Sequence, residues 1–321
     1  MESFNSPQPA APEYSTMNRG PHSLHESRNA LDLTRRFEAT TGRTLREFVD
    51  EVVDPSAPKA VFATGSLALG MGSSGSDLDL IVLVDQHSAL VKGPGHVANS
   101  ARQLEFSSAS DLLLAGIFMF TEAGIVVEVQ VVITPTIHRI YRHLRQRGPD
   151  LNEVEIRTLG RLNSGWLLWE TPGYVERNAA ILQDCALNVY CCTKSFVDAL
   201  HEIAKARRGL ASGDIPVALN QGREAVEAAY LAYFATEGLT YLGSKWPAQV
   251  GYARGAQERV CRYPLLGESI SLLFPQYVHT AAEANHYLEA VREFLISMRN
   301  LIEQKKLYRI ALYACPQVHE L

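Results

Sequence analysis

Three acidic residues and one small-residue turn are the parts of this sequence whose types and spacing suit chemistry. Asp77 and Asp79 stand two apart in Asp77-Leu-Asp-Leu-Ile-Val-Leu-Val84, a run that reads as a β-strand. Side chains alternate along a strand, so both carboxylates point to one face while Leu78, Leu80, Val82 and Val84 point the other way into a core. Adjacent carboxylates repel, and each raises the other's pKa unless a cation lies between them. A hard divalent cation suits such a pair, since Mg²⁺ takes one or two carboxylates together with substrate phosphates. The matching feature lies just upstream, where Gly65-Ser66 follows the short strand Ala60–Thr64. Glycine lets the backbone approach a ligand closely, and N–H groups with a hydroxyl at a helix start hold phosphate oxygens. That helix is expected over 67–71. Ser76, which closes the Gly/Ser-rich stretch 65–76, joins Gly65 and Ser66 as a nucleotide-binding candidate.

The third acid is Glu128, set between Val127 and Val129 in the strand Gly124 to Ile133. Ile125, Val127, Val129, Val131 and Ile133 share one face, Glu128 and Gln130 the other. A glutamate in so apolar a strand is costly to bury without a partner. Each acid has a plainer alternative. Asp77 and Asp79 would be the solvated edge of a half-buried sheet, and Glu128 a strand-face glutamate paired with a basic residue. Glu105, Asp111 and Glu122 are rivals for the third place, though none stands mid-strand between apolar neighbours. Gly70-Met-Gly-Ser-Ser-Gly75 matches a dinucleotide fingerprint, which needs a strand before it and a helix after it. Here a strand follows, and the fingerprint is rejected.

Gly65-Ser66, ten intervening residues, then Asp77-Leu-Asp-Leu80 resembles the signature of the polymerase β-like nucleotidyltransferase superfamily. The resemblance covers about residues 60–133. It implies Asp77, Asp79 and Glu128 as metal ligands and catalytic residues, two Mg²⁺ ions, and ATP or another nucleoside triphosphate as substrate. It also implies transfer of a nucleoside monophosphate, AMP from ATP, to a hydroxyl of a small molecule, with pyrophosphate released. Small-molecule, antibiotic-type members carry a helical C-terminal domain, and Lys245-Trp246 looks like a triphosphate-contacting feature of that domain. A general base is implied at Glu153, Glu155 or Glu170, or at a metal ligand. The same resemblance admits a second-messenger synthase or a protein-modifying enzyme. A regulatory module that binds nucleotide without turnover is the alternative of a different class.

These residues need elements to position them. A helix is expected from Asn29, broken at Thr41-Gly42 and ended by Pro55 and Pro58. The strands about Ala60–Thr64, Asp77–Val84, Ile117–Phe120 and 124–133 follow, the last two as an antiparallel pair. Past Thr134-Pro135 the pattern is helical: about 136–147, 151–169, 175–208, 215–238, 246–261 and 280–306. The expected class is α/β plus all-α, a small mixed β-sheet nucleotidyltransferase core with an α-helical bundle C-terminal domain. The division is a flexible tail over 1–28, a catalytic domain over 29–134 and a helical acceptor-binding domain over 135–321. At roughly 100–200 residues per domain, 321 residues allow that division.

Composition narrows the partners. Hydrophobic residues are 46% and charged residues 20%, which excludes a fibrous or wholly disordered chain. Lys and Arg number 30 against 35 Asp and Glu, a net charge of −5. A binder of extended nucleic acid needs a basic surface, so none is expected. The basic run His138 to Arg147 reads as a solvated helix face. No eighteen-residue apolar run marks a membrane span. Five cysteines with no paired spacing point to a reducing, cytoplasmic setting.

Overall fold

The computed structural model describes residues 24–65, 76–91, 102–104, 113–145, 151–179, 186–240, 265, 271–275 and 278–313. Two helices open it: α1 (Leu24–Thr41) and α2 (Leu45–Asp50). Thr44 caps α2 by accepting from the Glu47 backbone N–H, and the Glu47 carboxylate reaches back to the Thr44 backbone. Such a reciprocal cap satisfies two donors that a helix start leaves open. The expected break at Thr41-Gly42 is present, but α1 begins at Leu24, inside the stretch read as a tail ending at residue 28.

The strands are β1 (Lys59–Thr64), β2 (Leu78–Val84), β3 (Arg102–Leu104), β4 (Leu114–Glu122), β5 (Ile125–Ile133) and β6 (Trp166–Glu170). They form one six-stranded sheet in the order β3-β4-β5-β2-β1-β6. The central pair β2–β5 is parallel and every other pair antiparallel. The expected mixed sheet is therefore present. β6 corrects the reading of 151–169 as one helix: α4 (Glu153–Asn163) stops, and the chain crosses Gly165 into a strand paired with β1. The sheet thus draws a strand from beyond residue 134. Trp166 and Trp169 pack from it against the core formed by the sheet with α1 and α2.

Period-two burial divides the core in two. On one face Val61, Ala63, Leu78, Leu80, Val82, Val84, Val127, Val129 and Val131 pack against Phe37, Phe48 and Val49 of α1 and α2. On the other, Ala60, Phe62, Ile81, Leu83 and Val132 join a continuous core with the helical half. That half contains α3 (Thr134–Arg145), α4, the short α5 (Tyr174–Arg177), α6 (Ala186–Ala211), α7 (Ile215–Thr236), α8 (Ala281–Glu303) and α9 (Lys306–Tyr313). Long helices after the sheet match the expected helical C-terminal region. His138, Arg139, Arg142 and Arg145 of α3 are exposed, as a solvated face should be. Cys191 and Cys192 are buried free thiols, pushed up to about 12 by burial, and behave as small core residues. Among the described residues no helix is long and apolar enough to cross a membrane.

Candidate active site

The site begins with register. In the parallel β2–β5 pair, Asp79 and Glu128 are direct Cα partners, and across the antiparallel β1–β2 pair Asp79 faces Thr64. Neighbouring strands lie roughly 4.8 Å apart, so the Asp79 and Glu128 carboxylates share one face at adjacent positions. That face also carries Ile81, Leu83 and Val132 and is the one the helical half covers. The apolar residues between them point to α1 and α2, so alternation alone turns the acids toward the helices.

Positive charge at this pair comes from α4. Arg161 Nη1 lies 2.8 Å from Glu128 Oε1 and 3.5 Å from Asp79 Oδ1. The three side chains retain only 15–22% exposure, enough burial to strengthen the attraction over that of a surface pair. Glu128 therefore has the basic partner of its plainer reading, and that partner also reaches Asp79. Glu128 Oε1 accepts a second hydrogen bond, 2.5 Å, from Gln130 Nε2 two residues along the same strand face. Gln130 is 3% exposed, and its Oε1 accepts no hydrogen bond from the described residues.

Two glycines bring the backbone this close. Gly65 has φ +73°, a left-handed conformation, and a Cβ built on it would lie 2.8 Å from Asp79 Cγ and overlap Oδ2. The turn after β1 thus rests directly on the Asp79 carboxylate, and only glycine fits there. Thr64 Oγ1 donates to the Asp79 carbonyl oxygen at 3.3 Å. A Cβ on Gly165 would lie 3.0 Å from Thr64 Cγ2 and 3.3 Å from the Arg161 carbonyl. The α4–β6 junction, with the backbone that carries Arg161, is thereby set close against the end of β1.

The candidate residues fare differently. Asp79, Glu128 and Gly65 come together. Asp77 is exposed and precedes the first residue of β2, with half-buried Ser76 before it. Ser66, Lys245, the G-x-G-x-x-G stretch, Glu105 and Asp111 lie outside the described residues. Glu122 bonds Arg43, which also pairs with Glu51. The three general-base candidates are engaged in local structure. Glu153 is 80% exposed and pairs with Arg157, Glu155 closes the N-terminal cap of α4 with Asn152, and Glu170 Oε2 accepts the Val175 N–H at 2.6 Å. Arg161 was absent from the sequence reading, and its only local signal is a basic residue in the last turn of a helix. Gln130 was visible as an amide sharing the Glu128 face.

Among the described residues no three carboxylate, imidazole or thiol groups are arranged to hold a metal ion. The donor chemistry nonetheless fits one: Asp79 and Glu128 offer hard oxygens from adjacent strands, with Asp77 two residues away. Arg161 Nη1 already contacts one oxygen of each of the Asp79 and Glu128 carboxylates.

Residues 45–151 match the family model of the nucleotidyltransferase domain. The matched segment contains the β1 turn, Asp77, Asp79 and Glu128, and stops before Arg161. A comparison with curated proteins gives no significant match. Among solved structures, a nucleotidyltransferase-like protein from Exiguobacterium sibiricum aligns with a TM-score of 0.39 at 10% identity. The alignment covers 87% of this chain and 80% of that one. By its matched segment, consistent with the polymerase β-like superfamily, this chain carries a nucleotidyltransferase domain over residues 45–151.

Proposed function

We propose that this chain is a Mg²⁺-dependent nucleotidyltransferase that moves a nucleoside monophosphate, AMP from ATP, to a hydroxyl of a small molecule and releases pyrophosphate. The observation that carries the reading is the register of Asp79 with Glu128 on adjacent parallel strands, against a left-handed Gly65 in contact with Asp79. A structural sheet edge has no need of a glycine pressed onto one carboxylate and an amide held to the other. Cytoplasmic work accords with the buried free thiols of Cys191 and Cys192.

In this reading Asp77, Asp79 and Glu128 supply oxygens to metal and Gly65-Ser66 receives the phosphates, with Ser76 and Lys245 as further contacts. Gln130 holds Glu128 in one orientation, so little reorganisation is left for the reacting state. Bound Mg²⁺ supplies charge stabilisation at the attacking and leaving oxygens of an in-line displacement. With Glu153, Glu155 and Glu170 engaged elsewhere, the proton of the acceptor hydroxyl falls to one of the site carboxylates. The helical half, which covers this sheet face, forms the acceptor wall. A net charge of −5 favours a small, cationic acceptor over an extended nucleic acid.

The test is incubation with labelled ATP, GTP, CTP and UTP, Mg²⁺ and a panel of hydroxyl-bearing acceptors. Pyrophosphate released only with a small acceptor supports the proposal. Cyclic or linear oligonucleotide made without an acceptor would overturn it in favour of a second-messenger synthase, and label on protein in favour of protein modification. One observation favours a second reading, a nucleotide-binding regulatory module: Arg161 already balances two of the three acids. Nucleotide binding without pyrophosphate release under every condition would select it.

A further inference from the structure

The cation at Asp79 and Glu128 belongs to the chain itself. Arg161 Nη1 reaches oxygens of both carboxylates, at 2.8 and 3.5 Å, the place from which a shared divalent ion would draw its ligands. A guanidinium and a metal ion would repel each other there. Gly165 has little room for a side chain beside Thr64 and the Arg161 carbonyl, which sets the Arg161 backbone close against the end of β1. The long Arg161 side chain is therefore the part free to change place. Glu128 is also held by the hydrogen bond from Gln130 Nε2.

We propose that Arg161 is an internal counter-ion that competes with divalent metal for Asp79 and Glu128. Without metal it draws the two carboxylates together and holds α4 to the sheet. When metal enters, the guanidinium turns away and the metal takes over its electrostatic role. Arg161 is thus a positioning residue that sets how tightly the site takes metal. The proposal rests on the reading that Asp79 and Glu128 hold a divalent cation, and the experiment separates the two.

The full chain, free of nucleotide, is titrated with Mn²⁺ by calorimetry as wild type and as Arg161→Met, which keeps much of the aliphatic length without the charge. Arg161→Met binds Mn²⁺ about tenfold more tightly, equivalent to about 1.4 kcal/mol. Its melting temperature falls below wild type in EDTA, and the gap closes in saturating Mn²⁺. A merely structural arginine would give the same melting loss in both conditions and unchanged metal affinity, and that result would overturn the proposal. If wild type and variant both bind no Mn²⁺, the metal reading falls and this proposal with it. If both bind equally, only this proposal falls. Should Arg161→Met fail to fold, Arg161→Gln decides, since the single nitrogen Nη1 makes both contacts and a neutral amide there no longer repels the metal. Tighter Mn²⁺ binding than wild type supports the competition, and equal or weaker binding defeats it.

Discussion

β2 has a carboxylate at each end, and the two ends are built on opposite terms. Just past its C-terminus, Asp85 accepts a hydrogen bond from the Tyr174 hydroxyl at 2.9 Å, and Tyr174 meets Thr134 Oγ1 at 2.8 Å. A phenol has one proton, so Thr134 is the donor in the second bond. Tyr174 is fully buried, and burial raises its pKa above the ordinary phenol value, so it stays a neutral donor. At the other end Asp79 and Glu128 put two acids on adjacent strands and, among the described residues, take positive charge from Arg161 of α4. The Asp85 end ties α5 and α3 to the sheet through a neutral donor chain. The Asp79 end gathers like charge, which under the proposed function serves chemistry at a cost in stability.

Substitutions sharpen this contrast. The largest expected effects are on turnover at the Asp79 end. Asp79→Asn and Asp77→Asn should each lower it about 10³-fold in the labelled-nucleotide assay, by analogy with the loss of one preorganised charge-stabilising group. Circular dichroism should show both folded, and the urea midpoint of exposed Asp77→Asn should stay at the wild-type value. Full activity in Asp79→Asn would remove it from the site. Glu128→Gln should cost about 10²-fold, and a mild loss would direct attention to Glu105 or Asp111. Gly65→Ala forces a left-handed backbone, costing about 1–2 kcal/mol, and pushes Asp79 aside. Urea unfolding should register that loss together with a fall in turnover, whereas stability lost with turnover kept would make Gly65 a folding residue only. The smallest effect belongs to the Asp85 end: Tyr174→Phe removes a buried hydroxyl with two partners and should cost about 1–2 kcal/mol in urea unfolding with turnover unchanged. A drop in turnover there would show that the two ends of β2 are coupled.

Much of the Asp79 end was legible from sequence because β2 and β5 are period-two strands in which the acids interrupt valine, leucine and isoleucine. Alternation assigned Asp79, Glu128 and Gln130 to their face, whereas Gly65 suggested only a close approach of backbone to ligand, and its left-handed turn against Asp79 itself was not foreseen. The pairing of Asp79 with Glu128 was not legible, since parallel register depends on how the intervening β3–β4 segment is accommodated. Arg161 was hidden for a similar reason, because its partner Glu128 is 33 positions away and nothing local distinguishes it from a surface arginine. β6 was misread because Trp166-Leu-Leu-Trp169 is an apolar run without alternation, which a buried helix and a paired strand share. The cap formed by Asn152 and Glu155 could have set the start of α4, and Gly165 its end.

The pairing of β6 with β1 bears on what can be cut from this protein. The matched nucleotidyltransferase segment ends at residue 151, yet the strand that covers one side of β1 lies at 166–170. A fragment trimmed to the match would leave β1, buried along its whole length in the intact chain, as a bare apolar edge. Such edges recruit strands from other molecules. A fragment of the nucleotidyltransferase domain that keeps β1 paired on both sides therefore extends at least through Glu170, past the limit that family likeness alone would draw.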